Sequence, residues 1–305
     1  MLRYTLRQLE FAVSTGDLGS VAAAAQAHGV AQPSVSAAIM KLEGQLGLQL
    51  FIRQHAQGVK PTPQGARFLA EARNLLNHAN EFQRDAEAAG AEIEGDLNIG
   101  SFLTIAPVHA PRLIAGFQKL YPRARIRLEE GVQDQLVAGL RSGRYDLALL
   151  YKVDMPEDLR VADLLSVEPY VLLPAKHRLA ERREVSLFDL AGEPFILLDV
   201  LPSRTYFMRI LESHGITPQI AFSSPSLELV RGLVGQGLGY SLLVTRPDGD
   251  RSYDGEELAV RPIAEETEKG IISLAILHQM RPTRLVSAFE TFCISYFTSL
   301  EFHRE

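Results

Sequence analysis

Several features that mark whole classes of protein are missing from this chain. It has one cysteine, Cys293, in 305 residues, which excludes a disulfide framework and any metal site built on several cysteines, and points to a reducing compartment. No stretch approaches about 18 uninterrupted apolar residues, and no basic patch leads into an apolar run at the start. Membrane spanning and secretion are therefore not expected, and a cytoplasmic location is. The eight histidines show no pairing at metal-ligand spacing, and neither HExxH nor GxSxG occurs, so no catalytic residue, metal or cofactor is expected from such motifs. The run Gly235-Gln236-Gly237-Leu238-Gly239 is glycine-rich like a dinucleotide fingerprint. It follows a helical stretch and precedes a strand, however, the reverse of the order that holds a pyrophosphate, and reads as a tight turn. Cys293 falls in an apolar C-terminal helix, where burial rather than reactivity is expected.

What is present bounds the answer further. A length of 305 residues with 46% hydrophobic composition suits two or three domains with real cores. The net charge of −6 is unevenly spread. Residues 1–62 hold five Lys/Arg (Arg3, Arg7, Lys41, Arg53, Lys60) against three acids (Glu10, Asp17, Glu43), a balance of +2 that leaves −8 for the remainder. A mildly basic head on an acidic body fits a small nucleic-acid-binding module attached to a bulk with another task.

The head has a recognisable order. Thr5 and Gln8 form a capping box for a first helix with Leu6, Leu9 and Val13 as its apolar stripe. From Ser20 to Leu50 two short helices meet at a tight turn. Gly29 ends the first, and Pro33 sits in the first turn of the second. Val35, Ile39, Leu42 and Leu46 give that second helix a buried face. Its outward positions, Gln32, Ser34, Ser36 and Lys41, are the short polar groups and the long cation that a recognition helix presents to bases and phosphates. Their alternative is ordinary surface polarity. Residues 51–62 alternate around Gly58 as a two-stranded wing that places Arg53 and Lys60 near a DNA backbone. Lys41 and Arg53 read as phosphate contacts, and Gln32 and Ser34 as groups able to meet bases or phosphates, with Ser36 adding a hydroxyl one turn on.

From Thr62 to about Glu92 the pattern is a helix of roughly 30 residues, on the order of 45 Å long. Phe68, Leu75, Phe82 and Ala89 recur every seven residues, with Ala72, Ala79 and Ala86 in the adjacent register, which favours a coiled-coil-like contact between two chains over packing within one domain. After Gly95 strands alternate with helices. Strands are expected at 97–100, 126–129, 146–150, 170–173, 195–198, 240–244 and 271–277, and helices at 107–120, 133–141, 206–214 and 227–234. That is an α/β body too large for one sheet, so two lobes are expected. Two turns in it lead into helices and would attract a carboxylate. One is Gly100–Thr104, with the Ser101 and Thr104 hydroxyls; the other is Asp199–Phe207, with Pro202, Ser203 and Arg204. Plain helix caps fit the same residues, and Arg204 suits a structural ion pair as well as an anion contact.

The motif LRQLEFAV, then GSVAAAAQAHGVAQPSVSAAIMKLEGQLGLQLF, then Arg53 and TPQG, resembles the winged helix-turn-helix of LysR-type transcriptional regulators. GDLNIG, YPRARIRLEEG, GRYDLALL and GQGLGYSLL extend the resemblance over essentially the whole chain. It implies a DNA-binding domain at 1–62, a dimerising linker helix at 63–94 and, at 95–305, a two-lobed domain of the periplasmic-binding-protein type. In that domain lobe I would be about 95–165 with 267–305, and lobe II about 166–266. The implied protein binds double-stranded DNA as a homodimer or homotetramer and holds a small effector between its lobes, which the two carboxylate-attracting turns make an organic acid. Gln32, Pro33, Ser34, Ser36 and Arg53 carry over as DNA contacts, beside Lys41 from the reading of the helix itself. Ala31 stands where the family usually has a capping Ser, a loss that typically costs about 1 kcal/mol. The effector would meet Ser101, Thr104, Pro202, Ser203 and Arg204, with Tyr151 and Ser224 or Ser226 completing the site and Phe102 and Tyr206 as walls.

Two rivals follow from the same residues. A solute-binding protein of transport shares the fold expected for 95–305, and an enzyme is possible on any α/β scaffold. The reader module and the missing leader argue against the first, and the missing nucleophile and metal constellations against the second.

Overall fold

The computed structural model describes residues 3–54, 58–87, 93–278 and 280–301. At the N-terminus lie α1 (Leu6–Leu18), α2 (Val21–Ala27) and α3 (Gln32–Leu46), then a hairpin of β1 (Phe51–Gln54) and β2 (Gly58–Pro61), then α4 (Pro63–Glu87). The capping box at α1 forms, with Gln8 N 3.3 Å from Thr5 Oγ1 and Thr5 N 2.9 Å from Gln8 Oε1. Leu6, expected on the buried stripe, is 47% exposed. The helix instead buries Gln8, Leu9, Phe11, Ala12 and Val13, because closing the cap turns the Gln8 side inward. Ser20 caps α2 through Ala23 N, whereas Ala31 at the start of α3 caps nothing. Val35, Ile39 and Leu42 bury the inner face of α3, with Leu46 partly covered.

Two backbone approaches hold the wing in place. Val59 N donates to Gly19 O at 2.8 Å, and a Cβ on Gly58 would stand 2.2 Å from that oxygen. Glu43 of α3 accepts from Leu50 N at 2.7 Å and Phe51 N at 3.2 Å, fixing the hairpin to the second reader helix. Helix α4 supplies Leu69 and Ala72 to this same core, so its first turns are part of the N-terminal packing unit. Farther along, the heptad positions Leu75 and Phe82 are 41% and 77% exposed. The Ala86 side chain, Ala89 and the rest of the expected helix to residue 92 lie outside the described residues.

The body holds β3 (Gly95–Phe102), α5 (Ala106–Leu120), β4 (Ala124–Gly131), α6 (Gln133–Arg141), β5 (Leu147–Tyr151), β6 (Leu159–Val167), β7 (Tyr170–Pro174), β8 (Pro194–Leu198), α7 (Ser203–Ser213), β9 (Gln219–Ser224), α8 (Leu227–Gly235), β10 (Ser241–Leu243), β11 (Leu258–Pro262), β12 (Gly270–Leu277) and α9 (Arg284–Glu301). One sheet has the order β4-β3-β5-β12-β6, parallel across β4-β3-β5 and antiparallel across β5-β12-β6. The second lobe joins the antiparallel trio β10-β7-β11 to the parallel pair β8-β9, through Ile196 N to Tyr240 O at 2.8 Å and Tyr240 N to Pro194 O at 3.0 Å. The chain passes between the lobes after β6 and again before β12. One continuous apolar core nevertheless runs through both.

The structure adds β6, β9 and β11, where no strand is expected from the residue pattern. It also moves two boundaries. β3 continues through Phe102, so Ser101 and Phe102 are strand residues and the turn is confined to Leu103–Ile105. α7 opens at Ser203, three residues before the expected start at Tyr206. Cys293 is fully buried in α9, and burial pushes its thiol well above the ordinary range.

Candidate functional site

The outer face of α3 is short, polar and accessible. Gln32, Pro33, Ser34 and Lys41 are exposed and Ser36 is half-buried. All stand on one 15-residue helix that is about 22 Å long, a length suited to the major groove. Lys60 is exposed on β2, and Arg53 lies on β1 opposite Val59 in register, its side chain outside the described residues. Arg7, on α1, is committed elsewhere: it pairs with Glu10 at 2.7 Å and lies over the Phe11 ring.

A second candidate is a cleft of about 710 Å³ between the lobes. On one side stand Val137, Ala138 and Arg141 of α6, with Tyr151 and Lys152 at the end of β5. Opposite are Pro202, Ser203, Tyr206 and Arg209 at the start of α7. The segment returning from the second lobe into β12 supplies Glu268 to Ile271. Tyr206 donates its hydroxyl to Glu268 O, and burial pushes that hydroxyl's titration up. Most cleft cations are tightly matched. Arg141 meets Asp158 at 2.7 Å, Lys152 meets Asp163 at 2.8 Å and Lys269 meets Glu168 at 2.6 Å, whereas Arg209 and Glu268 stand 3.6 Å apart.

Tyr151 joins the cleft to the layer behind it. Its hydroxyl lies 3.1 Å from Thr104 Oγ1 in lobe I and is also bonded to Thr245 Oγ1 of lobe II, while Tyr170 donates to Thr245 O at 3.0 Å. Burial raises the Tyr151 hydroxyl, and the two threonines oppose that shift. Phe102 packs edge-on against its ring at 5.4 Å between centroids.

Of the expected effector residues, the structure thus brings Tyr151, Pro202, Ser203 and Tyr206 to the cleft wall. Phe102 and Thr104 are buried behind Tyr151. Ser101 is fully buried too, its hydroxyl without a hydrogen-bond partner among the described residues. Arg204 points away into an ion pair with Asp199 at 3.1 Å, the structural alternative for that residue. Ser226 caps α8 through Leu229 N, and its own N–H donates to Ser224 Oγ. Sequence reasoning passed over the cleft face of α6 and Arg209. The signal was available for Arg209, which follows Tyr206 by three residues and so shares its helix face.

Comparison with known proteins now decides the family. Residues 6–66 match the model of the bacterial regulatory helix-turn-helix protein, lysR family, and residues 90–298 match the LysR substrate binding domain. The chain belongs to the LysR family. It is a LysR-type transcriptional regulator with a DNA-binding helix-turn-helix and an effector-binding domain. Among solved LysR structures it is similar to HinK, a LysR family transcriptional regulator from Pseudomonas aeruginosa. The two share 45% identity with a TM-score of 0.67, over 97% of this chain and 99% of that one. A full-length OxyR from the same organism superposes with a TM-score of 0.78 at 25% identity, over 96% and 95% of the two chains. The hydrogen peroxide-inducible genes activator of Pectobacterium carotovorum subsp. carotovorum is 30% identical over 239 residues, 78% of this chain and 79% of the relative. Among the described residues of this LysR regulator, no helix is long and apolar enough to cross a membrane, and no group of three or more His, Cys, Asp or Glu is arranged to hold a metal.

Proposed function

We propose that this regulator is a cytoplasmic one-component switch without enzymatic activity, in which a small organic acid bound between the lobes biases how paired reader helices meet DNA. The domain limits are those of the sequence reading, 1–62, 63–94 and 95–305. Gln32 and Ser34 touch bases, Ser36 and Pro33 shape the same surface, and Lys41 and Arg53 hold phosphates. The exposed apolar residues Leu75 and Phe82 on α4 support pairing of two chains through that helix.

The observation that carries the effector class is the wall formed by α7. Its first turn opens on the cleft at Ser203, and Arg209, two turns on, has the loosest carboxylate partner of the cleft cations. A helix N-terminus and an under-committed guanidinium favour an anion, while Tyr151 and Tyr206 offer faces to an apolar or aromatic skeleton. A ligand that prefers one lobe arrangement shifts the population toward it. The test is a thermal-shift series on the full chain with benzoate and succinate set against benzylamine and diaminobutane. An acid present at about 100 times its Kd stabilises by roughly 2.7 kcal/mol, and Arg209→Ala is expected to abolish the shift. A response to the amines alone overturns the organic-acid reading.

A further inference from the structure

Helix α6 is both a wall of the cleft and, through its C-terminal cap Ser142, a contact of the linker helix α4. Ala138 is exposed on its cleft side, and the Ala138 carbonyl accepts from Ser142 N at 2.9 Å, closing the last turn. The Ser142 carbonyl in turn accepts a hydrogen bond from Nη1 of Arg73, on α4. Nη2 of the same guanidinium pairs with Asp17, near the end of α1. Two residues on, Gly19 O receives Val59 N of the wing. A single side chain, only 15% exposed, therefore touches the linker helix, the effector domain and the reader module at once.

The surroundings leave that side chain little choice of position. Gly143, with φ +67°, lies against Ala70 and Arg73, and a Cβ there would stand 3.2 Å from Arg73 Nη1 and 3.5 Å from Ala70 Cα. One turn along α4, Asn77 Nδ2 reaches Asp146 Oδ1 at 3.4 Å, and Asp146 is itself fixed by Asn98 N at 2.8 Å. The partially negative carbonyl end of α6 and the Asp17 carboxylate attract the guanidinium from opposite sides, and its planar fork serves both.

We propose that Arg73 is a positioning residue, the joint through which displacement of α6 at the cleft is passed to the end of α1 and the wing. The path is Ala138, Ser142, Arg73, Asp17, and every link in it is a hydrogen bond or ion pair. It rests on the reading of the cleft as the effector site only for what does the pushing.

The test needs no effector. In the full chain, Ala138→Trp places bulk in the cleft against α6 at an exposed position, and amide hydrogen exchange is followed at residues 14–19 and 139–146. Ala138→Trp is expected to change exchange at 14–19 by about five-fold or more, and by less than about two-fold when Arg73→Ala is also present, a coupling that a purely structural arginine would not show. Arg73→Lys keeps the charge without the fork, and is expected to retain only part of the coupling. Should Arg73→Ala fail to fold, Asp17→Ala at a half-exposed position removes the last acceptor alone and is expected to uncouple 14–19 while leaving the response at 139–146 intact. An equal response at 14–19 with and without Arg73, or no response there in either background, overturns the proposal. Failure of every organic acid to stabilise the chain would end the effector reading and leave this result standing.

Discussion

The reader module and the effector cleft place their functional residues in opposite ways. Gln32, Ser34, Ser36 and Lys41 fall within one stretch of a single helix, residues 32–41, whose register alone decides what faces outward. The cleft draws on α6, the end of β5, the start of α7 and the segment leading into β12, a set spread along the chain from Gln133 to Ile271. A contiguous site is a local consequence of helix period and capping, whereas a scattered one exists only after two sheets have formed. The two regions also rest on separate hydrophobic cores, so each can be damaged while the other is read out.

Five substitutions probe that separation, in order of falling effect. Leu42→Ala removes a fully buried side chain from the small core and is expected to destabilise the reader module by about 2–5 kcal/mol. Calorimetry should show the loss in a reader transition, with the body's transition unmoved; equal depression of both would show that the cores unfold as one. Next, Gln32→Ala should lose roughly 1–3 kcal/mol of discrimination between matched and altered sites. Lys41→Ala should instead weaken all duplexes alike and reduce the salt slope by about 0.9, as read by fluorescence anisotropy at several salt concentrations.

In the body, Tyr151→Phe cuts the bond between lobes at Thr245 and is expected to cost about 1 kcal/mol, measured as a lower urea midpoint with DNA affinity in the absence of effector unchanged. The smallest effect belongs to Arg141. Its guanidinium holds the Asp158 carboxyl below the ordinary 3.8, so the pair stabilises the fold above about pH 4 and that contribution fades as pH falls through the lowered Asp158 value. Because both groups are largely exposed, Arg141→Ala should cost at most about 0.5 kcal/mol at pH 7, with the difference from the parent shrinking in urea titrations taken at progressively lower pH.

Legibility followed the same division. The capping box, the Gly29 turn, the apolar face of α3 and the wing around Gly58 all appear in the structure because each depends on residues within a turn or two. Leu6 misled because period alone does not say which residues the cap turns inward. In the body, β9 gave no signal since five of its six residues are exposed at a sheet edge. The turn at Ser101 was misjudged because pairing with β4 extends β3 through Phe102, a constraint set by a neighbour some thirty residues away. Arg204 and Arg209 show the limit most directly. Both are arginines on one short helix, and only the placement of Asp199 and Glu268 decides which is committed outside the cleft and which lines it.

The two passages between lobes leave the first sheet from strands that are direct neighbours, with Val167 opposite Gly270 at the edge where the chain departs. Adjacent exits define a single line, like the spine of a book, and a line permits rotation while resisting translation. Any opening of the cleft is then largely a swing of one lobe about β6 and β12, with displacement growing with distance from that axis. A ligand near the Gly270 end would gain little leverage, and one seated farther from that line would gain more.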